Sequence, residues 1–70
     1  MTKKELRQVE IRAVILQAQN SAWREGQAFF NALYELHPKE ANLIRGSSID
    51  MYHNNKNIQA YKQYKLNQIK

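Results

Sequence analysis

The chain has 70 residues, a net charge of +5 and no cysteine. A chain of this length forms one domain with a small core, since it buries only about 60% of the surface that its unfolded form exposes. The absence of cysteine excludes disulfide bonds and zinc–thiolate sites. Hydrophobic residues make up 43% of the sequence, which favours a folded domain over a disordered tail. One proline and two glycines among many helix-forming residues favour helix.

The N-terminal segment, MTKKELRQ, has no hydrophobic run beside its charges, which argues against a secretory signal. No apolar run approaches the roughly 18 residues of a membrane span. We therefore expect a cytoplasmic protein without a membrane partner.

The first predicted helix covers about residues 3–19. Thr2 followed by Glu5 is typical of a capping box, which marks a helix start. One set of apolar residues recurs at helical spacing: Leu6, Val9, Ala13 and Leu16. A second set widens this stripe: Ile11, Val14, Ile15 and Ala18. We expect a helix with so wide an apolar stripe to pack against more than one neighbour, or to leave apolar surface for self-association.

The second predicted helix covers about residues 22–36, with Asn20 or Ser21 as its N-cap. Gly26 lies inside it, although an internal glycine costs a helix roughly 1 kcal/mol relative to alanine. Because Gly26 falls on the apolar stripe, we expect it to be buried and to let another helix or a large side chain come close.

A polar strip lies on the opposite side of this helix, where Arg24, Gln27 and Asn31 follow one another at i, i+3 and i+7. These residues are candidates for binding a partner. They are also candidates for capping neighbouring elements, and Asn31 capping the connection at residues 46–50 is the example that we favour.

A short third helix is predicted in HPKEANLIRG, where Pro38 suits the first helical position and Glu40 the first turn. Gly46 after Arg45 is typical of a helix end with a left-handed cap. The connection SSIDMYHNN follows, and three of its residues are expected to point inward: Ile49, Met51 and Tyr52.

A final helix is predicted at about residues 56–69, capped by Asn54 or Asn55. Its apolar side is weak, so we expect this basic C-terminal helix, within residues 56–70, to pack less firmly than the others. Residues 51–70 contain four lysines and no acid, whereas residues 1–50 have a net charge of +1.

The basic segment also interleaves tyrosine with lysine. Lysines neutralise phosphates and tyrosines stack on bases, so the segment is a candidate for binding nucleic acid. It would equally suit an acidic groove on a protein, since tyrosine is a common interface residue. A third interpretation is a solvated helix whose tyrosines close the core and whose lysines keep the protein soluble.

Catalytic and metal-binding patterns are absent from the sequence. His37 and His53 are sixteen residues apart and belong to no H-x-x-x-H pair. Ser47 and Ser48 lack the surroundings of a nucleophile, and the two glycines form no phosphate-binding loop. We therefore expect no enzyme activity, no metal and no cofactor.

A helix-turn-helix motif does not fit the sequence either. Ala41 and Gly46 are five positions apart, one more than the usual spacing of the small residue and the turn glycine. The segment in the place of the recognition helix contains Asp50 and no basic residue before Lys56.

Two segments, WREGQAFFNAL and LIRGSSIDMYHNNKNI, resemble a group of small bacterial and phage-borne proteins. That group carries R-x-G-Q-x-x-x-N-x-L followed by a connection similar to I-R-G-T-x-x-D-P-F-Y. The matching residues are Arg24, Gly26, Gln27, Asn31, Leu33, Ile44, Arg45, Gly46, Asp50 and Tyr52. Met51 stands in place of the proline. The resemblance covers about half the chain and implies a small accessory protein of phage or mobile-element origin, with no established activity.

The predicted fold is all-α: a small compact bundle of three main helices plus one short helix, in a single domain over residues 1–70. The predicted core comprises Leu6, Val9, Leu16, Trp23, Phe29, Phe30, Leu33, Leu43 and Ile44.

The predicted function is that of a non-enzymatic binding module that modulates a host macromolecule by protein–protein interaction. The alternatives are nucleic-acid binding through the C-terminal Lys/Tyr segment and a self-associating structural role. The candidate interaction surface comprises Arg24, Gln27, Asn31, Tyr52, Lys56, Tyr61, Lys62, Tyr64 and Lys65.

Overall fold

Four α-helices make up the regular structure of residues 1–69, the part of the chain that this computed structural model describes. They are α1 (Lys3–Gln19), α2 (Glu25–Leu36), α3 (Pro38–Ile44) and α4 (Asn57–Gln68). The predicted all-α class, with three main helices and one short helix, is confirmed. The connection between α3 and α4, residues 45–56, has no regular structure beyond turns.

Helix α1 has the predicted capping box. The Thr2 hydroxyl accepts from the N–H of Glu5 at 3.1 Å, and the Glu5 carboxylate accepts from the N–H of Thr2 at 2.9 Å. The bond from the Thr2 backbone lowers the pKa of Glu5, because it favours the charged carboxylate. Asn20 ends the helix by donating its side-chain amide to the carbonyl of Leu16 at 3.0 Å. Asn20 therefore caps the end of α1, and the prediction that Asn20 or Ser21 caps the second helix is wrong.

Helix α2 begins at Glu25, three residues later than predicted. The N–H of Trp23 donates to the carbonyl of Asn20 at 2.9 Å, so residues 20–23 form a turn instead of the first helical turn. Arg24 takes the N-cap position without a side-chain capping bond. The missing acceptor comes from Asn55, whose Oδ1 accepts from the N–H of Gly26 at 2.8 Å.

The predicted cap of the last helix is therefore wrong as well, since Asn55 caps α2. Asn54 accepts from the N–H of Lys56 at 3.0 Å, in the turn before α4. Helix α4 then begins after Lys56, which makes no side-chain capping bond.

The core lies mainly between α1 and α2, and α3, α4 and the connection close it. The buried apolar side chains are Leu6, Val9, Ala13, Leu16, Ala28, Phe29, Phe30, Ala32, Leu33, Ala41, Ile44, Met51 and Tyr61. Trp23 is partly buried and packs against this cluster. Leu43 is 78% exposed, so its assignment to the core is wrong. In the short helix α3, Ala41 and Ile44 face the core at i and i+3, which turns Leu43 toward solvent.

Gly26 is buried, as predicted, but its close neighbour is the backbone of the connection and not another helix. A Cβ atom at Gly26 would lie 1.9 Å from the carbonyl oxygen of Met51 and 3.1 Å from Oδ1 of Asn55. The connection therefore lies against α2 at a distance that only glycine permits. Gly46 has φ +74°, which confirms the predicted left-handed cap at the end of α3.

Replacing Gly26 with alanine tests this close approach. In an unobstructed helix the change stabilises by about 1 kcal/mol. Here we expect it to lower the free energy of unfolding by about 1–3 kcal/mol, because the new methyl group must displace the Met51 carbonyl. Urea unfolding measures the effect, with Asn67→Ala on the exposed side of α4 as the control. A gain in stability for Gly26→Ala would contradict the contact.

Candidate functional site

The polar strip of α2 meets the connection. Nη1 of Arg24 donates to the carbonyl of His53 at 3.5 Å, and Nε2 of Gln27 donates to the hydroxyl of Tyr52 at 3.3 Å. Both bonds join the N-terminal part of α2, including its N-cap, to residues of the connection more than twenty positions later. Two of the three strip residues thus hold the connection in place, although neither caps the end of a helix as predicted.

Asp50 organises the turn of the connection. Its two carboxylate oxygens accept from the N–H of Gly46 at 2.7 Å and from the N–H of Tyr52 at 2.9 Å. Asn57 of α4 donates its side-chain amide to the carbonyl of Asp50 at 2.8 Å. The two segments that carry the resemblance therefore lie against each other, and most of their polar side chains make specific contacts.

A half-open pocket of about 480 Å³ lies where these segments meet, and we call it the Arg45 pocket. Its lining residues are Phe30, Asn31, Tyr34, Arg45, Asp50, Tyr52 and His53. The guanidinium carbon of Arg45 lies 5.5 Å from the ring centroids of both Phe30 and Tyr34, which is a cation–π distance. Tyr52 packs edge-on against Phe30, with ring centroids 5.7 Å apart.

Asn31 lines this pocket, and no hydrogen bond of its side chain occurs within residues 1–69. The prediction that Asn31 caps the connection is therefore wrong, because the Asp50 carboxylate already takes the N–H groups there. Arg45 and Tyr34 were not predicted as site residues. Arg45 belongs to the second resembling segment, but its position at a helix end gave no sign that its side chain lies over two rings.

A second surface lies on α1, on the side turned away from α2. Ile11, Val14 and Ile15 are 56%, 69% and 42% exposed, and we call them the α1 outer face. Ile11 and Ile15 each lie two positions after a buried residue of α1. Two positions correspond to about 200° around a helix, so both side chains point away from the core. The expectation of several neighbours around α1 is therefore wrong for this side.

The border of the α1 outer face toward the end of α2 is nearly neutral. Leu36, at the end of α2, is 41% exposed and lies beside Ile11 and Ile15. Arg12 forms an ion pair with Glu35 at 3.0 Å, so its charge is balanced. Arg7 lies one helical turn before Ile11 on the same side of α1, and Lys4 lies two turns before it. Neither forms an ion pair within residues 1–69.

The C-terminal Lys/Tyr segment is mostly engaged inside the fold. Tyr61 is fully buried, packs edge-on against Phe29 and donates its hydroxyl to Glu40 at 3.3 Å. Burial raises the pKa of Tyr61, and the negative charge of Glu40 adds to this. Lys65 is 7% exposed and forms an ion pair with Glu40 at 2.5 Å.

Other residues of the predicted interaction surface are less enclosed. Lys62 forms an ion pair with Glu10 of α1 at 3.5 Å. Tyr64 is 44% exposed, and Lys56 is exposed. Tyr61 is buried and Lys65 keeps only a small exposed part, so the predicted set does not form one continuous patch. Lys70 lies outside the described residues.

No protein-family model, curated protein or solved structure matches this chain. The candidate sites therefore rest on their own geometry. Within residues 1–69, no helix is long and apolar enough to cross a bilayer. In the same part of the chain, no three His, Asp or Glu side chains come together in a metal-binding arrangement.

The burial of Tyr61 predicts a loss of stability at high pH. Above its ordinary pKa of about 10, Tyr61 ionises in the unfolded chain but stays neutral in the folded one. The contribution of Tyr61 to the free energy of unfolding is therefore fully present below about pH 10, and it declines as the pH rises further. We expect Tyr61→Phe to cost about 0.5–1.5 kcal/mol at neutral pH, through the lost bond to Glu40, and to make this decline less steep.

Urea unfolding at about pH 8 and about pH 11 measures both effects, because these values lie on either side of the ordinary tyrosine pKa. The matched control is Tyr34→Phe, since Tyr34 is 46% exposed and should leave the decline unchanged. An equal decline in Tyr61→Phe and the original chain would contradict the assignment.

Proposed function

We propose that this chain is a small, non-enzymatic protein-binding module that docks through the α1 outer face. The observation that carries the proposal is the exposure of Ile11, Val14 and Ile15 on the side of α1 opposite the core. A contiguous exposed apolar patch on a small monomer marks an interaction site more often than a scattered apolar residue does.

The chemistry of this face suits a rigid docking surface. All three residues are β-branched, and such side chains have one strongly preferred rotamer in a helix. Little side-chain entropy is therefore lost when a partner covers them. Full burial of an aliphatic side chain contributes about 1.5–3 kcal/mol, so covering the exposed parts of these three supports a specific complex.

Charge indicates what kind of partner fits. Lys4 and Arg7 continue the same side of α1 and lack ion-pair partners within residues 1–69. A partner that places acidic residues beside an apolar stripe would complement both parts of this surface.

A second copy of the chain complements the surface poorly. The acids of α1 are already engaged, since Glu5 belongs to the capping box and Glu10 pairs with Lys62. Parallel pairing of two α1 helices would bring Lys4 and Arg7 of the two copies together, which like-charge repulsion disfavours. A different protein is therefore the better candidate than self-association.

Nucleic-acid binding through the C-terminal segment has less support than the sequence suggested. Two of its lysines are paired with acids, and one of its tyrosines is buried. We place the module in the cytoplasm and, following the resemblance, among accessory proteins of phage or mobile elements that modulate a host protein.

Affinity capture with a tagged chain tests the proposal. We expect one protein with an acidic surface to co-purify in a stoichiometric amount. Its recovery should fall at least tenfold with the double variant Ile11→Gln/Ile15→Gln, which loses apolar contact, and with Lys4→Glu/Arg7→Glu, which reverses the charge. All four side chains extend from the exposed side of α1, so thermal unfolding should show that these variants stay folded.

Leu43→Gln is the matched control, because Leu43 is the most exposed large apolar residue outside this face and its loss should leave recovery unchanged. Unchanged recovery with both double variants would exclude docking through the α1 outer face. Light scattering on the purified chain is expected to give the monomer mass of 8.3 kDa. A dimer that Ile11→Gln/Ile15→Gln dissociates would instead assign the face to self-association.

A further inference from the structure

We infer that the Arg45 pocket is a second binding site, for a carboxylate attached to a flat aromatic group. The pocket lies at the meeting of α2 and the connection and does not include the α1 outer face. Its volume of about 480 Å³ falls in the range of small-molecule sites, and its lining combines aromatic rings with a few convergent polar groups.

Arg45 supplies the charged group of this site. Among residues 1–69, no carboxylate forms an ion pair with Arg45. Glu5, Glu10, Glu35 and Glu40 each form an ion pair with another basic side chain, so none of them neutralises Arg45. Phe30 and Tyr34 hold the guanidinium by cation–π contacts, which leave its N–H groups for a ligand.

The chemistry favours a carboxylate over a phosphate. A guanidinium binds a carboxylate through two parallel hydrogen bonds, which satisfy a single negative charge. A phosphate needs further donors, and the backbone N–H groups of Gly46 and Tyr52 already donate to Asp50, so of the groups beside Arg45 only side chains such as Asn31 could supply them. The Asp50 carboxylate also lines the pocket and would repel a doubly charged group more strongly than a singly charged one.

The remaining lining favours a flat apolar body next to the carboxylate. Tyr34 and Tyr52 offer ring surfaces and edges, and aromatic groups gain from stacked or edge-on contact. Asn31 offers a side-chain amide without a partner within residues 1–69, which is suited to hydrogen-bond a polar atom of the ligand. Two sources share this chemistry: a free aromatic acid, and the last residue of a peptide whose side chain is aromatic.

Titration with small probes, followed by NMR shifts of the backbone amides, tests the site. The probes are phenylacetate for a free acid, N-acetylphenylalanine for a chain end, and N-acetylphenylalanine amide as the uncharged control. We expect one of the two acids to bind with a dissociation constant of about 1 mM, as suits ligands of this size. The shifted amides should lie in residues 30–34 and 45–53. Tighter binding of N-acetylphenylalanine would assign the site to a peptide end, and tighter binding of phenylacetate to a free acid.

Variants distinguish the effect of the Arg45 guanidinium on binding from the effect of net positive charge. Arg45→Gln should weaken binding at least tenfold, and Arg45→Lys should weaken it by a smaller factor because it keeps the charge but loses the paired hydrogen bonds. The matched control is Lys3→Gln, an exposed basic residue at the start of α1 whose loss changes the net charge equally. The dispersion of the amide spectrum reports whether each variant is folded.

Three results would overturn the proposal: equal binding of the amide and the acid, unchanged binding by Arg45→Gln, or shifts that map outside the pocket. None of them depends on whether a protein partner docks on α1, so the two proposals succeed or fail separately.

Discussion

The close approach of the Met51 carbonyl to the backbone of Gly26 determines the position of the whole connection. With the connection at this distance, Asn55 reaches the N–H of Gly26 and Tyr52 reaches Gln27. Met51 itself is fully buried. The same placement brings the turn organised by Asp50 beside the aromatic residues of α2, which creates the Arg45 pocket. A glycine that weakens its helix locally thus permits contacts that stabilise the tertiary structure and form a candidate site.

Features with local causes could be predicted from the sequence. The bounds of α1 follow from its capping box and apolar spacing, and the end of α3 follows from Gly46, because each signal lies within a few residues of its effect. The start of α2 could not be found in this way, since its capping acceptor is Asn55, 29 residues further along. Leu43 was misassigned because a helix of seven residues is too short for its spacing to distinguish a buried from an exposed side.

In the candidate sites, too, patterns along the chain could be predicted, whereas contacts between distant segments could not. The strip of Arg24, Gln27 and Asn31 was visible as a periodic pattern, but only the folded chain places the connection against it. The excess of lysine in residues 51–70 suggested a basic surface. In the fold, two lysines of α4 form ion pairs with Glu10 of α1 and Glu40 of α3. Lysines that are in excess along the sequence are therefore partly neutralised by acids of other helices.

Capping of α2 from such a distance also has a consequence for synthesis. While the chain is being made, the first turn of α2 leaves the ribosome well before Asn55, and until then the N–H of Gly26 has only water as an acceptor. Because nucleation of an isolated helix of twelve residues is unfavourable, α2 gains its full stability only when the later segment arrives. The first two helices are therefore a poor folding unit by themselves, and the chain is expected to acquire its structure in one late, cooperative step.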